Sequence, residues 1–440
     1  MLSEGLAQFR GRRILMLQGP MGPFFARLAH DLREQGATPY KVDFNGGDWL
    51  HSRTKAFEQT FAYRGPLEHL PAFLDALVER LRIDTVLLFG DCRPVHQPVV
   101  QALAARGIRV CVFEEGYIRP DFITLEPEGV NSHSSLPRDP GFYLRQACPE
   151  LPASRSLGRT FYFAMLWTIL YAVAFDLGRP WFRHCVHHRP MSILQGLPWL
   201  RSAARKVWHA WRERGWLQWL CTQASGSFFL VPLQTHGDAQ VAVHSRFESV
   251  PAFIGHVMES FARHAPEQTY LVIKHHPLDR GDCDYTGLVR ELAHRMGLEG
   301  RCLYIHDQHL PTLLRHARGV VTINSTVGLS AIGEGVAVKA CGEAIYDMPG
   351  LTSQDTLDEF WSHAPQARPD PELHRAFRHY LIAHSQHQGS FYRRLPSVPA
   401  RSGVVWAAHG EPAPHLAEAT GSAEAASALP AYLGEAITRA

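Results

Sequence analysis

The chain is short of the features that would place it outside an ordinary folded protein of a reducing compartment. Its eight cysteines, at 92, 111, 148, 185, 221, 283, 302 and 341 of 440 residues, include no CxxC pair. A zinc site or a disulfide framework is therefore not expected. Net charge is nearly absent, +2 with 20% charged residues, so bulk charge makes no case for nucleic acid. The start of the chain, Met1 to Gly5, has no basic stretch followed by an apolar one, and no secretory signal is expected. The longest apolar run, Phe161–Phe175, is broken by Thr168 and falls short of the roughly 20 residues that span a bilayer. A buried or interfacial helix is expected there. A nucleotide fingerprint is missing too. Gly19-Pro20-Met21-Gly22-Pro23 follows the first strand, but it is neither GxGxxG nor a P-loop. It reads as a loop of close approach.

What is present is a rhythm. Residues 13–150 alternate short apolar strands with helices, and the alternation returns from Phe228. Such a pattern predicts parallel sheets covered on both faces. Between them, 151–225 carries the apolar run and then Trp181, Trp199, Arg201, Arg205, Lys206, Trp208, Trp211, Arg212, Trp216 and Trp219. Most of the ten tryptophans lie there. This segment reads either as a membrane-interfacial surface, with Trp at headgroup level and Arg or Lys on anionic lipid, or as a helical insert burying its aromatics. After about Arg401 the chain turns rich in Ala, Gly, Pro and Glu, and a disordered tail is expected. The expected division is 1–150 (acceptor and sugar side), 151–225 (helical segment), 226–400 (donor-binding domain) and 401–440 (tail). Two doubly wound α/β domains facing a cleft describe the GT-B arrangement of glycosyltransferases.

Open α/β sheets bind ligands at the carboxyl ends of their strands. Two ends in the second half suit an anion such as a nucleotide phosphate. Tyr270–Ile273 empties into Lys274-His275-His276-Pro277. Val320–Ile323 runs into Asn324-Ser325-Thr326 with a helix behind it. Ser325 and Thr326 can cap the helix, and the same N–H groups form an anion site. Glu334, near the end of that helix, could accept from ribose hydroxyls or be an exposed helix carboxylate. In the first half, Glu114-Glu115-Gly116-Tyr117-Ile118-Arg119-Pro120 follows a strand. Adjacent carboxylates there suit work at a cleft. One could be a nucleophile or base, and Arg119 could fork onto a sugar carboxylate. Asp91, in Gly90-Asp91-Cys92-Arg93-Pro94-Val95-His96, could orient His96 or Arg93, contact the acceptor, or cap the next helix.

These segments, with Ile123–Glu126, Gly129-Val130-Asn131, His187-His188-Arg189-Pro190, Pro232-Leu233-Gln234, Asp238–Gln240, His244-Ser245 and Cys341–Thr352, resemble the capsule polysaccharide biosynthesis proteins of the KpsS/LipB type, in order from about residue 13 to 395. The resemblance implies a β-Kdo transferase. Its donor would be CMP-Kdo and its acceptor a phosphatidylglycerol-type lipid at the cytoplasmic face of the inner membrane, where it would act as a peripheral protein beside other capsule assembly proteins. It implies retention of configuration with an acidic nucleophile: Glu115 is favoured, ahead of Asp91 and Glu126. Lys274, His276, Pro277, Asn324, Ser325, Thr326 and Glu334 would hold the donor. Arg119, Glu114, Arg93, His96 and Gln234 would serve sugar and acceptor. No cofactor is expected, and one phosphate makes a divalent metal unnecessary. A non-catalytic export component, or a transferase of another CMP-sugar, is the alternative.

Overall fold

The computed structural model describes residues 5–146, 156–187, 191–192, 196–237, 241, 245–395 and 398–406. Two sheets organise it. The first domain contains β1 (Arg13–Met16), α1 (Phe24–Glu34), β2 (Thr38–Asp43), α2 (Gly46–Ser52), β3 (Thr60–Ala62), α3 (Leu70–Leu81), β4 (Thr85–Phe89), α4 (Gln97–Ala105), β5 (Arg109–Glu115), β6 (Phe122–Pro127) and α5 (Pro140–Leu144). Then come α6 (Phe161–Gly178), α7 (Gly196–Arg212) and α8 (Trp216–Thr222). The second domain contains β7 (Phe228–Pro232), α9 (Val250–His264), β8 (Tyr270–Lys274), α10 (Thr286–Arg295), β9 (Cys302–Ile305), α11 (Leu310–His316), β10 (Gly319–Thr322), α12 (Thr326–Gly333), β11 (Val338–Ala340), α13 (Leu357–His363) and α14 (Pro371–His384). A last strand, β12 (Gln386–Gln388), follows.

The second sheet, ordered β11-β10-β7-β8-β9, is parallel throughout. Its central strands are apolar on both faces because helices cover both. The first sheet, ordered β12-β6-β5-β4-β1-β2-β3, is parallel from β5 to β3 and antiparallel at β6 and β12. This is the GT-B arrangement of two doubly wound domains, with one correction to the expected all-parallel sheet. Residues 122–127 form an antiparallel strand between β5 and β12 in which Ile123 and Leu125 join the core while Thr124 and Glu126 turn to the other face. The β12 strand comes from the stretch assigned to the donor domain, so the chain returns to the first domain before 400. Phe391 then packs edge-on against Phe24 and Phe89. The backbone N–H groups of Arg401 and Ser402 donate to Asp31. The packed chain therefore extends to Trp406, beyond the expected boundary at 401; the rest of the expected tail lies outside the described residues.

Helix α6 has 18 residues and a mean hydropathy of 1.5 over them. At 1.5 Å per residue it is about 27 Å long, long and apolar enough by length and composition to cross a bilayer. One stripe of it is tied to the first domain instead. Gly46 and Gly47 of α2 let it approach: a Cβ on Gly46 would lie 2.0 Å from the Ala174 carbonyl oxygen, and one on Gly47 2.6 Å from the Tyr171 ring. Tyr171 donates to Asp48 (2.9 Å) and accepts from Asn45 (2.8 Å). The opposite stripe, including Phe161, Tyr162, Leu166 and Leu170, is exposed.

Candidate functional site in the cleft between the domains

Each sheet has one point where the winding reverses. In the second sheet it falls between β7 and β10, and in the first between β1 and β4. Ligands of open α/β sheets bind outside such points. Past the second, Gln234 Nε2 donates to Asn324 Oδ1 at 3.0 Å, and Asn324 N donates to Gln234 Oε1 at 3.4 Å. The pair bridges the two strand ends and presents the first turn of α12. Ser325 caps that turn, its Oγ accepting from Val327 N, and its carbonyl accepts from Tyr346 OH at 2.6 Å. Asn324 and Thr326 line a pocket with Leu329 and Glu343–Tyr346, and its other wall is Tyr117 and Asn131 of the first domain. The pocket thus spans the cleft.

His276 is half-buried beside this edge, and its Nδ1 accepts from Leu278 N at 3.2 Å. Accepting at Nδ1 places the neutral ring's proton on Nε2. Pro277 is exposed in the same turn. Two donor-side expectations are corrected. Lys274 is buried, its Nζ donates to the His306 carbonyl at 2.9 Å, and burial lowers its ammonium to about 8. It braces β9 rather than a ligand. Glu334 caps the far end of α12, exposed, about 13 Å from Ser325 along the axis.

Across the cleft, Arg93 plays the bridging part. It is buried, and Nη1 donates to Gln18 Oε1 (3.0 Å) and the Gly19 carbonyl (2.9 Å) beyond β1. Burial of the guanidinium lowers its pKa, against the pull of Tyr171, Glu114 and Asp48. His96 is a correction. It is wholly buried, Nδ1 meets the Gly90 carbonyl at 2.7 Å, and burial followed by Arg93 lowers the ring to about 3. A neutral ring with no exposed surface holds the loop and touches no acceptor. Asp91 is partnered neither by His96 nor by Arg93. Its Oδ2 lies 2.7 Å from His133 Nδ1.

The three acids separate by strand geometry. Side chains alternate faces along a strand, so Glu114 follows Val110 and Val112 while Glu115 follows Cys111 and Phe113. Glu114 thereby comes beside Asp91 and Arg93, and burial raises its carboxyl to about 7. Glu115 lies on the other face, where Oε1 accepts from Tyr392 OH at 3.0 Å. Glu126 is buried within β6 behind Tyr117, and burial raises it to about 7. It is a sheet-interior group and a correction to its place among the reacting acids. Arg119 is exposed, with Nε donating to the Gly116 carbonyl at 3.2 Å.

Sequence reasoning missed several residues that the fold brings in. His133 pairs with Asp91. His236, half-exposed, pairs with buried Asp279 through Nδ1 at 3.0 Å beside the β7 end. Buried Glu213 accepts from His306 Nδ1 and Gln308 Nε2, tying the end of α7 to β9. Among the described residues, three groups have metal-capable atoms within 4.8 Å of one another: Asp91–Cys92–His133, His209–Glu213–His306 and His236–Asp279–Cys283. None is a convincing ligand set. The His209 and His306 rings stack at 3.4 Å and 15°, which keeps their lone pairs parallel instead of convergent. Burial raises the Cys92 thiol to about 12 and raises Cys283 as well, whereas a metal takes thiolate. The motifs at 188–190, 238–240 and 244 lie outside the described residues.

Fold and site together define a GT-B-type protein in which a helix N-terminus at the strand ends of one domain lies across a pocket from an acid-lined edge of the other. Residues 84–392 match the family described as capsule polysaccharide biosynthesis protein, and the chain belongs to that family. It is 40% identical over 394 residues to the capsule polysaccharide export protein KpsS of Escherichia coli, covering 87% of this chain and 97% of that one. To the capsule polysaccharide modification protein LipB of Neisseria meningitidis it is 39% identical over 389 residues, 87% of this chain and 92% of that one. Solved structures with a similar course include KpsC of Thermosulfurimonas dismutans, a β-Kdo 2,7 transferase, at 14% identity and TM-score 0.40, covering 85% of this chain and 92% of that one. Another is HepE of Anabaena in complex with UDP, at 14% identity and TM-score 0.31, covering 84% and 94%.

Proposed function

We propose that the protein is a glycosyltransferase that moves β-Kdo from CMP-Kdo to a phosphatidylglycerol or lyso-phosphatidylglycerol acceptor, with retention, starting the poly-Kdo linker of a capsular polysaccharide. The observation that carries the reading is the Gln234–Asn324 bridge at the N-terminus of α12, set across the pocket from Tyr117 and Asn131. A helix N-terminus with Ser325, Thr326 and His276 beside it suits a single phosphate. The donor then departs as CMP with its charge met by N–H and imidazole groups, and no divalent metal enters the proposed chemistry. Arg119, exposed at the end of β5, is the partner for the Kdo carboxylate. Glu114 beside Asp91 and Arg93 replaces Glu115 as the proposed nucleophile, because Glu115 lies on the opposite face under Tyr392.

The acceptor side of the proposal is a lipid surface. The exposed stripe of α6 continues into Trp181, and α7 shows Val207, Trp208 and Trp211. Arg179, Arg183, Arg201, Lys206 and Arg212 interleave with them. Apolar anchors among cations suit an anionic bilayer, so we place the protein as a peripheral one on the cytoplasmic face of the inner membrane, alongside other capsule assembly proteins.

Incubation with CMP-Kdo and a fluorescent lyso-phosphatidylglycerol tests the reaction. CMP release with a Kdo-lipid product supports it, and neither appearing sinks it. The name of the E. coli relative favours a second reading, a non-catalytic export component that binds finished glycolipid. Under that reading His276→Ala and Ser325→Ala leave capsule export intact; under transfer they abolish it. Competition between CMP-Kdo and CMP-sialic acid for binding decides among CMP-sugars.

A further inference from the structure

The pair Asp91–His133 has the parts of a base. Asp91 follows β4 at the point where the first sheet reverses, and its side chain is 7% exposed. His133 ends a single 3-10 turn, Asn131–His133, and its side chain is 53% exposed. Their contact, Nδ1 to Oδ2 at 2.7 Å, joins a buried carboxylate to a half-exposed ring two residues from Asn131. The turn is held from both sides. Asn131 N donates to Tyr117 OH at 2.8 Å, and both residues line the pocket that Asn324 and Thr326 close from the other domain. Gly129 makes the approach possible: a Cβ there would lie 2.5 Å from His133 Cβ and 3.2 Å from Asp91 Oδ2.

We propose that His133 is the general base that activates the acceptor hydroxyl and that Asp91 is its positioning residue. The proposal rests on the transferase reading and deepens it. A carboxylate at Nδ1 holds the proton on that nitrogen, so Nε2 of the neutral ring is the acceptor, and the imidazolium that forms is stabilised by the same carboxylate. In the transfer step the acceptor oxygen bonds to the anomeric carbon of the sugar held on the Glu114 carboxylate. The bond from that carbon to the carboxylate oxygen breaks, and its electron pair stays on Glu114. The hydroxyl proton passes to His133 Nε2 and later to solvent. Glu114 and Asp91 thus have separate duties, which explains two carboxylates at one strand edge beside Arg93. Cys92, whose Sγ is 4.0 Å from the same Nδ1, is kept a thiol by burial and does not compete as a base.

The test uses the full chain with CMP-Kdo and lyso-phosphatidylglycerol. His133→Gln is expected to lower kcat at least 100-fold, with KM for CMP-Kdo within about threefold and CMP binding retained. Imidazole in solution is expected to restore part of the rate to His133→Ala. Asp91→Asn is expected to lower kcat and to shift the pH profile, which a merely structural change would not do. Thermal melting of each variant separates loss of fold from loss of function, and imidazole rescue stands even where a variant melts early. A wild type that makes product beside a fully active His133→Gln overturns this proposal alone. So does an inactive His133→Ala that melts like wild type and that imidazole does not rescue. A wild type that releases no CMP overturns the transferase reading itself and this proposal with it.

Discussion

Gln234 and Asn324 meet across the gap between β7 and β10, the amide Nε2 of one 3.0 Å from the carbonyl Oδ1 of the other. Gln234 is buried and Asn324 half-buried, and the contact holds the strand end that leads into α12. Gln234→Ala removes the Nε2 donor to the Asn324 carbonyl. About 1.4 kcal/mol is the expected loss, so the Kd for CMP rises about tenfold. Isothermal titration with CMP measures it. An unchanged Kd would show that the bridge does not shape the donor site.

Glu114 makes the proposed activity depend on pH. Burial raises its carboxyl to about 7, opposed by the hydrogen bond from Glu115 N and by Arg93, with the Glu115 and Asp91 charges adding. The proposed nucleophile is the ionised form, so kcat/KM rises about tenfold per pH unit below 7 and levels off above it. Glu114→Gln lowers kcat at least about 100-fold. Initial rates between about pH 5.5 and 8.5 are the measurement, and a flat profile counts against Glu114 in that role.

Much of this site was legible in strand ends. The strand end at Asn324–Thr326 and the acids at Asp91 and Glu114 follow from apolar strands that empty into polar residues. Alternation also separates Val110, Val112 and Glu114 from Cys111, Phe113 and Glu115, and that signal was available for choosing between the acids. The same period puts Lys274 on the face of Val272, inside the sheet. His133 was different. Its partner Asp91 lies 42 positions away, and nothing local marks a ring that a folded-back turn will place on a carboxylate. The return of β12 was hidden for a related reason. Gln386–Gln388 is polar although Gln386 and His387 are buried, because Gln386 accepts from Tyr117 N and donates to Thr124 Oγ1 inside the fold.

Two buried histidines set the acid limit of the fold. Burial lowers His96 and His275 to about 3, with Arg93 and His306 as the next causes. In the unfolded chain each titrates near its ordinary value of 6.5. Between those values the unfolded chain binds more protons at these two sites, so their contribution to stability is full above about 6.5 and is lost as pH drops toward 3. Glu114 and Glu126, raised by burial to about 7, take up protons in the native state between about 4.5 and 7 and oppose this, so the melting temperature is expected to decline chiefly below about pH 4.5, and His96→Asn is expected to flatten that decline while lowering stability at pH 8. Differential scanning fluorimetry across the range reads both. A variant whose decline matches wild type would remove His96 from the account.

The proposed donor carries one phosphate, met by His276 and the first turn of α12. Excess EDTA is therefore expected to leave the transfer rate within about twofold. Loss of activity restored by Mg2+ would mean that a cation completes the donor site and that the helix terminus does not suffice.

Helix α6 offers a prediction that separates docking from chemistry. Tyr171, Ala172 and Phe175 are buried against the first domain, whereas Leu166 and Leu170 are 47% and 40% exposed on the other stripe. Leu166→Asp with Leu170→Asp alters only the outer stripe, so the melting temperature should hold. Burying a leucine side chain in an apolar phase is worth about 1.5–3 kcal/mol, and an aspartate also repels anionic lipid. Binding to phosphatidylglycerol vesicles is therefore expected to fall at least about tenfold for each substitution, read by vesicle co-sedimentation. Transfer to a short-chain, monomerically soluble acceptor should persist, because neither leucine lies in the cleft, while transfer to acceptor embedded in vesicles should drop with binding. If vesicle binding survives both substitutions, the exposed stripe of α6 meets something other than a bilayer, and the lipid would have to be reached through the tryptophans of α7.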